Sequence, residues 1–366
     1  MLQKHSAYGG QIWQQFKKNK LAIAALVVIA IAAFCAIFAY CFAPDNSPNA
    51  DFQTVEIQAK KPGFRQTFLQ IPNGNSTLEN PFHILLFGKK QPYLFIPIKD
   101  YQIAGDSLII QKYVDEDTTV RESYFIPSIF KKNKNISSHI ITKKYRLGTD
   151  TYGRDILSRI ILGTRVSLAV GLIAVIISLG LGILLGAIAG YFGGYTDKLV
   201  MWLVNVTWSI PTLLLVFAIT IAMGKGFWQI FTAVGLTMWV NVARLVRGQV
   251  MALKEMEYVQ AAKVLGFSHA RIIVKHILPN IMGPLMVMAS ANFATAIIIE
   301  AGLSFLGLGI QPPHPSWGLM IKENYNFVIT NNPMLALSPG IAIMLLVLAF
   351  NLLGNALRDA MDVKSL

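Results

Sequence analysis

Long charge-free runs alternate with short polar connections along this chain. No charged residue falls between Leu21 and Ala43, Val166 and Tyr195, Leu199 and Gly224, Gly226 and Ala243, Asn280 and Ile299, or Asn332 and Ala356. A helix needs roughly 20 apolar residues to cross the hydrocarbon core of a bilayer. The pattern therefore predicts an all-α polytopic membrane protein with six transmembrane helices, at about 21–43, 166–191, 199–223, 227–243, 281–309 and 335–353. Tight turns are predicted at Gly193–Asp197 and at Gly224-Lys225-Gly226. Residues 44–147 differ in kind, being polar and loop-rich. Within them Tyr93–Ile98, Ser107–Lys112 and Ser123–Ile126 read as strands, which makes this a small extracytoplasmic β-rich insertion. The domain order is then a cytoplasmic tail (1–20), span one (21–43), the insertion (44–147) and a membrane core (148–366) with a cytoplasmic loop at 248–280.

Composition agrees with this class. Of 366 residues, 54% are hydrophobic and 14% charged, against about 45–50% and about 25% in an ordinary globular domain. The net charge of +13 would suggest nucleic acid in a soluble protein. Here the positive-inside rule explains it. Lys4, Lys17, Lys18 and Lys20 precede span one, and Arg244, Arg247, Lys254, Lys263, Arg271 and Lys275 follow span four. The short connections on the opposite side carry only Lys225 and Lys322, and residues 44–165 do not count in this balance because long translocated segments obey the rule poorly. Both termini are thus expected in the cytoplasm. Span one is too long for the apolar core of a cleavable signal peptide. Cys35 and Cys41, six residues apart on one helix, do not face each other, so no disulfide is expected.

The segment between spans four and five reads as two short helices. The first, near Ala252–Leu265, stops at Gly266, a residue suited to a left-handed C-terminal cap. Ser268 can cap the second, and Pro279 marks its passage into span five. Tyr258, Ala262 and Leu265 fall on one face at helical spacing. Two readings stand: a helix pair that docks into a partner's groove, or a solvated hairpin joining two spans.

Other positions also carry paired readings. Ala174, Ser178, Gly182, Gly186 and Gly190 repeat every four residues in span two, a small-residue ridge for close helix packing or for an interface that slides. Glu300 is a carboxylate late in span five, serving translocation or helix packing. Pro211 should kink span three, with Thr207 or Ser209 re-satisfying freed carbonyls, for a pathway or for packing alone. His276 and His314 lack suitably spaced co-ligands, so no metal site is expected, and His276 reads as an interface side chain. Gly88-Lys89-Lys90 and Gly224-Lys225-Gly226 do not fit a phosphate-binding loop, and no hydrolase elbow or zinc-binding helix pair occurs. The chain is expected to be no enzyme and to bind no cofactor.

Glu257-Tyr258, Gln260-Ala261-Ala262, Gly266 and His276-Ile-Leu278-Pro279 resemble the "EAA" coupling loop of ATP-binding-cassette (ABC) importers, with Gln260 in place of the usual Glu. Leu147–Arg159, Gly163–Leu168, Arg244–Gly248, Glu300–Gly309, Pro315–Gly318 and Asn351–Asp359 are similar to the dipeptide, oligopeptide and nickel permeases, in particular to their "C"-type subunit. The resemblance runs from Tyr145 to Asp362. Residues 44–144 depart from it, and Asn205 and Asn355 stand where the group commonly has Asp. It implies the type I ABC importer permease fold in the cytoplasmic (inner) membrane. It also implies a second homologous permease, two cytoplasmic ATPase subunits carrying ATP and Mg, docked on the 257–279 loop, and an extracytoplasmic peptide-binding protein. Asn205, Pro211 and Glu300 are the positions expected on a translocation route. Rival readings are a nickel or small-solute importer, a peptide exporter, an intramembrane enzyme and a channel. For the insertion the expectation is contact with the binding protein or the partner permease, or a structured loop without chemistry.

Overall fold

A computed structural model describes residues 13–73, 80–130, 136–224, 226–329 and 332–361. Lys4, Lys225 and Asp362, and with Lys225 the middle of the predicted 224–226 turn, lie outside the described residues. Apart from the four-residue helices Ala39–Phe42 and Ile126–Ile129, the named helices in chain order are α1 (Lys20–Ile37), α2 (Pro81–Phe87), α3 (Ile156–Phe192), α4 (Gly194–Ser209), α5 (Thr212–Met223), α6 (Phe227–Leu253), α7 (Glu257–Val264), α8 (His269–Ile272), α9 (Leu278–Phe305), α10 (Trp317–Asn324) and α11 (Met334–Met361). A π-helical turn, Ile273–Ile277, joins α8 to α9. The strands are β1 (Phe64–Pro72), β2 (Tyr93–Ala104), β3 (Ser107–Tyr113), β4 (Thr119–Phe125) and β5 (Ile140–Tyr145).

Among the described residues, α1, α3, α6, the His269–Phe305 run and α11 are each long and apolar enough to cross a membrane. The predicted third span is different. It is no kinked helix but two helices, α4 and α5, bent by 95°. Pro211 pushes Ile210 into extended backbone (φ −95°, ψ 128°) and cannot donate a helical N–H. The Thr207 and Ser209 hydroxyls donate to the Leu203 and Val206 carbonyls at 2.9 and 2.8 Å.

Other boundaries also move. Tyr195–Asp197 are helical, so the predicted five-residue turn shrinks to Gly193. Residues 244–253 continue α6, so the polar loop is much shorter than read. The second loop helix passes through the π-turn into α9 without a break, with Pro279 just after that turn.

The chain divides into two compact units. The first holds residues 1–33, 167–311 and 342–366. Its centre is the packing of α3 on α6. A Cβ at Gly182 would meet Val242 Cβ at 2.4 Å, one at Gly186 the Ala243 carbonyl oxygen at 2.5 Å, and one at Gly190 the Arg247 carbonyl oxygen at 2.7 Å. Ser178 lies on the same stripe and accepts from Asn292 Nδ2 at 3.3 Å. The buried face of α4, Val200 and Val204, joins Ala189, Trp239, Val240 and Ala243.

The second unit holds residues 34–166 and 312–341, so it extends beyond the predicted insertion. Its heart is a five-stranded antiparallel sheet of order β4-β3-β2-β1-β5. The segment is thus an ordered sheet, more regular than the loop-rich reading. Strand β4 begins four residues earlier than expected, and Ile126 starts a short helix. Strands β1 and β5 were not predicted. The sheet packs on both faces, Leu69, Ile96, Ile98, Leu108 and Ile110 in one cluster and Phe68, Phe95, Tyr113 and Tyr145 in another. Two-sided burial erases the alternation that marks a half-exposed strand.

Candidate functional site

The helix pair at 257–277 is held firmly at its base and is bare at its tip. Val259 and Ala262 of α7 are buried in a cluster with Val242, Val246 and Val250 of α6, Ile272 of α8 and Ile281 of α9. The buried face is therefore Val259 and Ala262, three residues apart, while Tyr258 and Leu265, at helical spacing from Ala262, are exposed. The helix axis is set by its neighbours, and they select the 259/262 ridge. Gly266 has φ +77°, and the Phe267 and Gly266 amides donate to the Ala262 and Lys263 carbonyls at 3.2 and 2.9 Å. This is the paired closure of a left-handed helix cap. The Ser268 hydroxyl then accepts from the Arg271 amide at 3.4 Å.

Around that turn Val264 is 89% and Leu265 72% exposed. Glu257, Ala261 and Pro279 are also exposed, and Leu278 is half-buried. Gln260 donates to the Lys254 carbonyl at 2.9 Å, tying α7 to the end of α6. The Tyr258 hydroxyl accepts from Asn280 at 3.3 Å, and burial raises the Tyr258 pKa. His276 stacks on Phe267, ring centroids 5.8 Å apart. The hairpin thus has a packed base and an exposed aliphatic end.

The three residues expected on a route separate. Glu300 is fully buried and accepts from the Ser304 hydroxyl at 2.6 Å, while Ser304 Oγ accepts from the Ile310 amide at 3.1 Å. It secures the end of α9 from inside the unit and lines no open surface of it. Pro211 and Asn205 are exposed, Pro211 at the α4–α5 break and Asn205 on α4, bonded to Arg244 of α6.

A charged cluster lies in the stretch Leu147–Arg159. Asp150 and Arg154 stand four residues apart, and Arg154 Nε donates to Asp150 Oδ2 at 2.7 Å. Arg154 also reaches Asp51 at 3.1 Å and Glu323 at 2.7 Å. Arg159, 1% exposed, lies 3.3 Å from Glu323 and 3.6 Å from Asp150. Burial alone would lower the Arg154 pKa, but Asp150 and Glu323 outweigh it and hold it above its ordinary value. Gly153 (φ +73°) lets the loop turn where any Cβ would strike the Thr54 carbonyl oxygen. Opposite charges repeating within Asp150–Arg159 were the available signal. Glu323, the third corner, is too remote in sequence to be read. Beyond it, Arg165 donates to the carbonyls of Ile37, Leu85 and Leu86 at 2.9, 2.7 and 2.8 Å, closing the ends of α1 and α2.

Comparison with known proteins places these features. Residues 182–364 match the family described as binding-protein-dependent transport system inner membrane component. Residues 7–61 match the N-terminal TM domain of oligopeptide transport permease C. The glutathione transport system permease protein GsiD of Pectobacterium atrosepticum is 43% identical over 218 residues, 60% of this chain and 72% of that protein. The oligopeptide permease OppC of Bacillus subtilis is 40% identical over 223 residues, 61% and 73% of the two chains. The dipeptide permease DppC of Alkalihalophilus pseudofirmus is 44% identical over 217 residues, 59% and 71%. Among solved structures, one of inward-facing conformations of the MetNI methionine ABC transporter aligns at TM-score 0.45 and 18% identity, over 56% of this chain and 96% of that one. The matched stretches include α6, the helix pair at 257–277 and α9, and the chain belongs to the inner membrane components of binding-protein-dependent transport systems, as a multi-pass ABC importer permease of the C type.

Proposed function

We propose that this permease carries short peptides inward through six spans, the α4–α5 pair counting as one. Both termini and the 257–279 lever face the cytoplasm, and the sheet-bearing unit lies outside. Two ATPase subunits dock on the lever of this chain and of a second, homologous permease, and an external binding protein delivers the solute. The names of the relatives, glutathione, oligopeptide and dipeptide permeases, support the substrate class. The loop charges support the orientation.

The observation that carries the mechanism is the bare Val264–Leu265 tip on a helix whose other face is locked to α6, α8 and α9. A push on the tip cannot be absorbed locally, so it tilts the spans as rigid bodies. Reversing a two-state equilibrium from 1:99 to 99:1 takes about 5.5 kcal/mol of differential affinity. A docked interface that changes with nucleotide supplies it.

The test is Val264→Ser with Leu265→Ser. Both side chains are exposed, so the melting temperature should hold while ATPase association and peptide uptake fall together. Normal association and uptake would refute the lever. Competition among dipeptides, longer peptides and nickel identifies the solute, and net efflux from loaded vesicles would reverse the direction.

A further inference from the structure

We propose that Arg244 is a carboxylate-binding station on the transport route, taking the free C-terminal carboxylate of the passing peptide. This deepens the peptide reading above and rests on it. Helices α4 and α6 are tied by two arginines that end differently. Arg247 grips Asp197 with two hydrogen bonds, Nε to Oδ1 at 2.5 Å and Nη2 to Oδ2 at 2.7 Å. Arg244 Nη2 instead donates to the amide oxygen of Asn205 at 2.9 Å. Among the described residues no carboxylate lies within 4 Å of the Arg244 guanidinium, and its Nε is enclosed without an acceptor. One charge is thus neutralised and the other is not.

The uncompensated guanidinium is also oriented. Its carbon sits 3.8 Å over the Trp208 ring centroid, and its edge is held by Asn205. A planar fork with its orientation set in this way suits two-point recognition of a carboxylate. Arg244 is seventeen residues along α6 from Phe227, about 25 Å of helix, which puts it toward the cytoplasmic end of a hydrocarbon core of about 30 Å. An arginine there with no carboxylate partner needs water or an arriving anion.

That water reaches this point is inferred from a second observation. The backbone of Ile210–Pro211, two residues beyond Trp208, leaves the helix, and Ser209–Thr212 are all exposed on the unit. Irregular backbone at membrane depth persists only inside protein or against a water-filled cavity. Asn205 and Trp208 are exposed alongside it. The station therefore opens where a broken helix supplies a wet wall, as half-helices do in other transporters.

The assay uses the complete importer, reconstituted with its partner subunits, and compares uptake of peptides bearing a free C-terminal acid with their C-terminal amides. The wild type should favour the acid by about tenfold, the worth of one charge-assisted pair. Asn205→Asp places a carboxylate on the guanidinium and strengthens the α4–α6 tie, so a fall of the acid-to-amide ratio towards one cannot be ascribed to unfolding. Arg244→Gln should lower the ratio as well. A ratio unchanged in both variants, or acid and amide uptake falling by equal factors, overturns the proposal. So does a ratio that follows the anionic lipid content of the vesicles, which would assign Arg244 to a headgroup phosphate. A wild type that transports neither peptide form refutes the peptide reading itself, and this inference with it. Equal transport of both forms sinks only the station.

Discussion

Gly186→Ala sets a methyl group against a backbone that has no room for it. The new Cβ would stand 2.5 Å from the Ala243 carbonyl oxygen and 2.9 Å from Val246 Cβ, where ordinary contact begins at 3.4 Å. Neither atom belongs to a flexible side-chain end, so α3 and α6 must part by about 1 Å at that level. Overpacking of this kind costs about 1–3 kcal/mol. Alanine also gains roughly 1 kcal/mol over glycine inside a helix, which partly conceals the loss. Gly180 separates the two terms. It lies on the same helix, is exposed, and a Cβ there meets nothing within 4 Å. Gly180→Ala should therefore stabilise by up to about 1 kcal/mol. The difference between the two variants cancels propensity and isolates the overpacking, about 1–3 kcal/mol. Thermal unfolding of the purified permease in one detergent, followed by intrinsic fluorescence, should separate the midpoints by several degrees, with Gly186→Ala lower. Equal midpoints would refute the claim that this stripe is a closed helix contact.

Three further outcomes follow from the second unit. Glu323→Gln leaves Arg154 and Arg159 short of a shared carboxylate and should cost about 3–5 kcal/mol, read as a lowered melting midpoint. Arg165→Lys replaces a fork by one ammonium that cannot reach carbonyls on both α1 and α2, and should cost about 1–3 kcal/mol, with the α2 amides exchanging hydrogen faster. Asp155 is held above the usual carboxylate range, by burial first and by Asp45, despite the opposing bonds from Ser158 and the charge of Lys143. The folded chain thus keeps this proton more tightly than the unfolded chain, so the group's contribution to stability falls as pH rises past about 4. Asp155→Asn should remove that fall, so the variant's melting midpoint should rise relative to the wild type's between pH 4 and pH 7; an unchanged pH slope would refute it.

The membrane-crossing segments and the left-handed cap at Gly266 were legible because each is a local property. A run of about twenty apolar residues belongs in lipid whatever its neighbours, and a glycine after a helix can take φ +77° without help from elsewhere. The ends of the helices were not legible. Arg159 and Arg165 lie within α3, and an apolar window excludes them; their charges are accommodated by Glu323 and by the carbonyls of α1 and α2, far away in sequence. The buried face of α7 was not legible for a related reason. Spacing allows several ridges, and the contacts with α6, α8 and α9 select Val259 and Ala262. Strands β1 and β5 lost their alternation to a sheet packed on both faces. The proline announced a disturbance in span three, while the 95° turn emerged only in the folded chain. Asn205 was visible as a departure from its relatives, but its meaning required the fold, which set a neutral amide against a charged guanidinium thirty-nine residues away. Composition and local conformational preference therefore decided which segments enter the membrane and where one helix must stop. Contacts between residues distant along the chain decided which faces close and, among the described residues, which charges are cancelled.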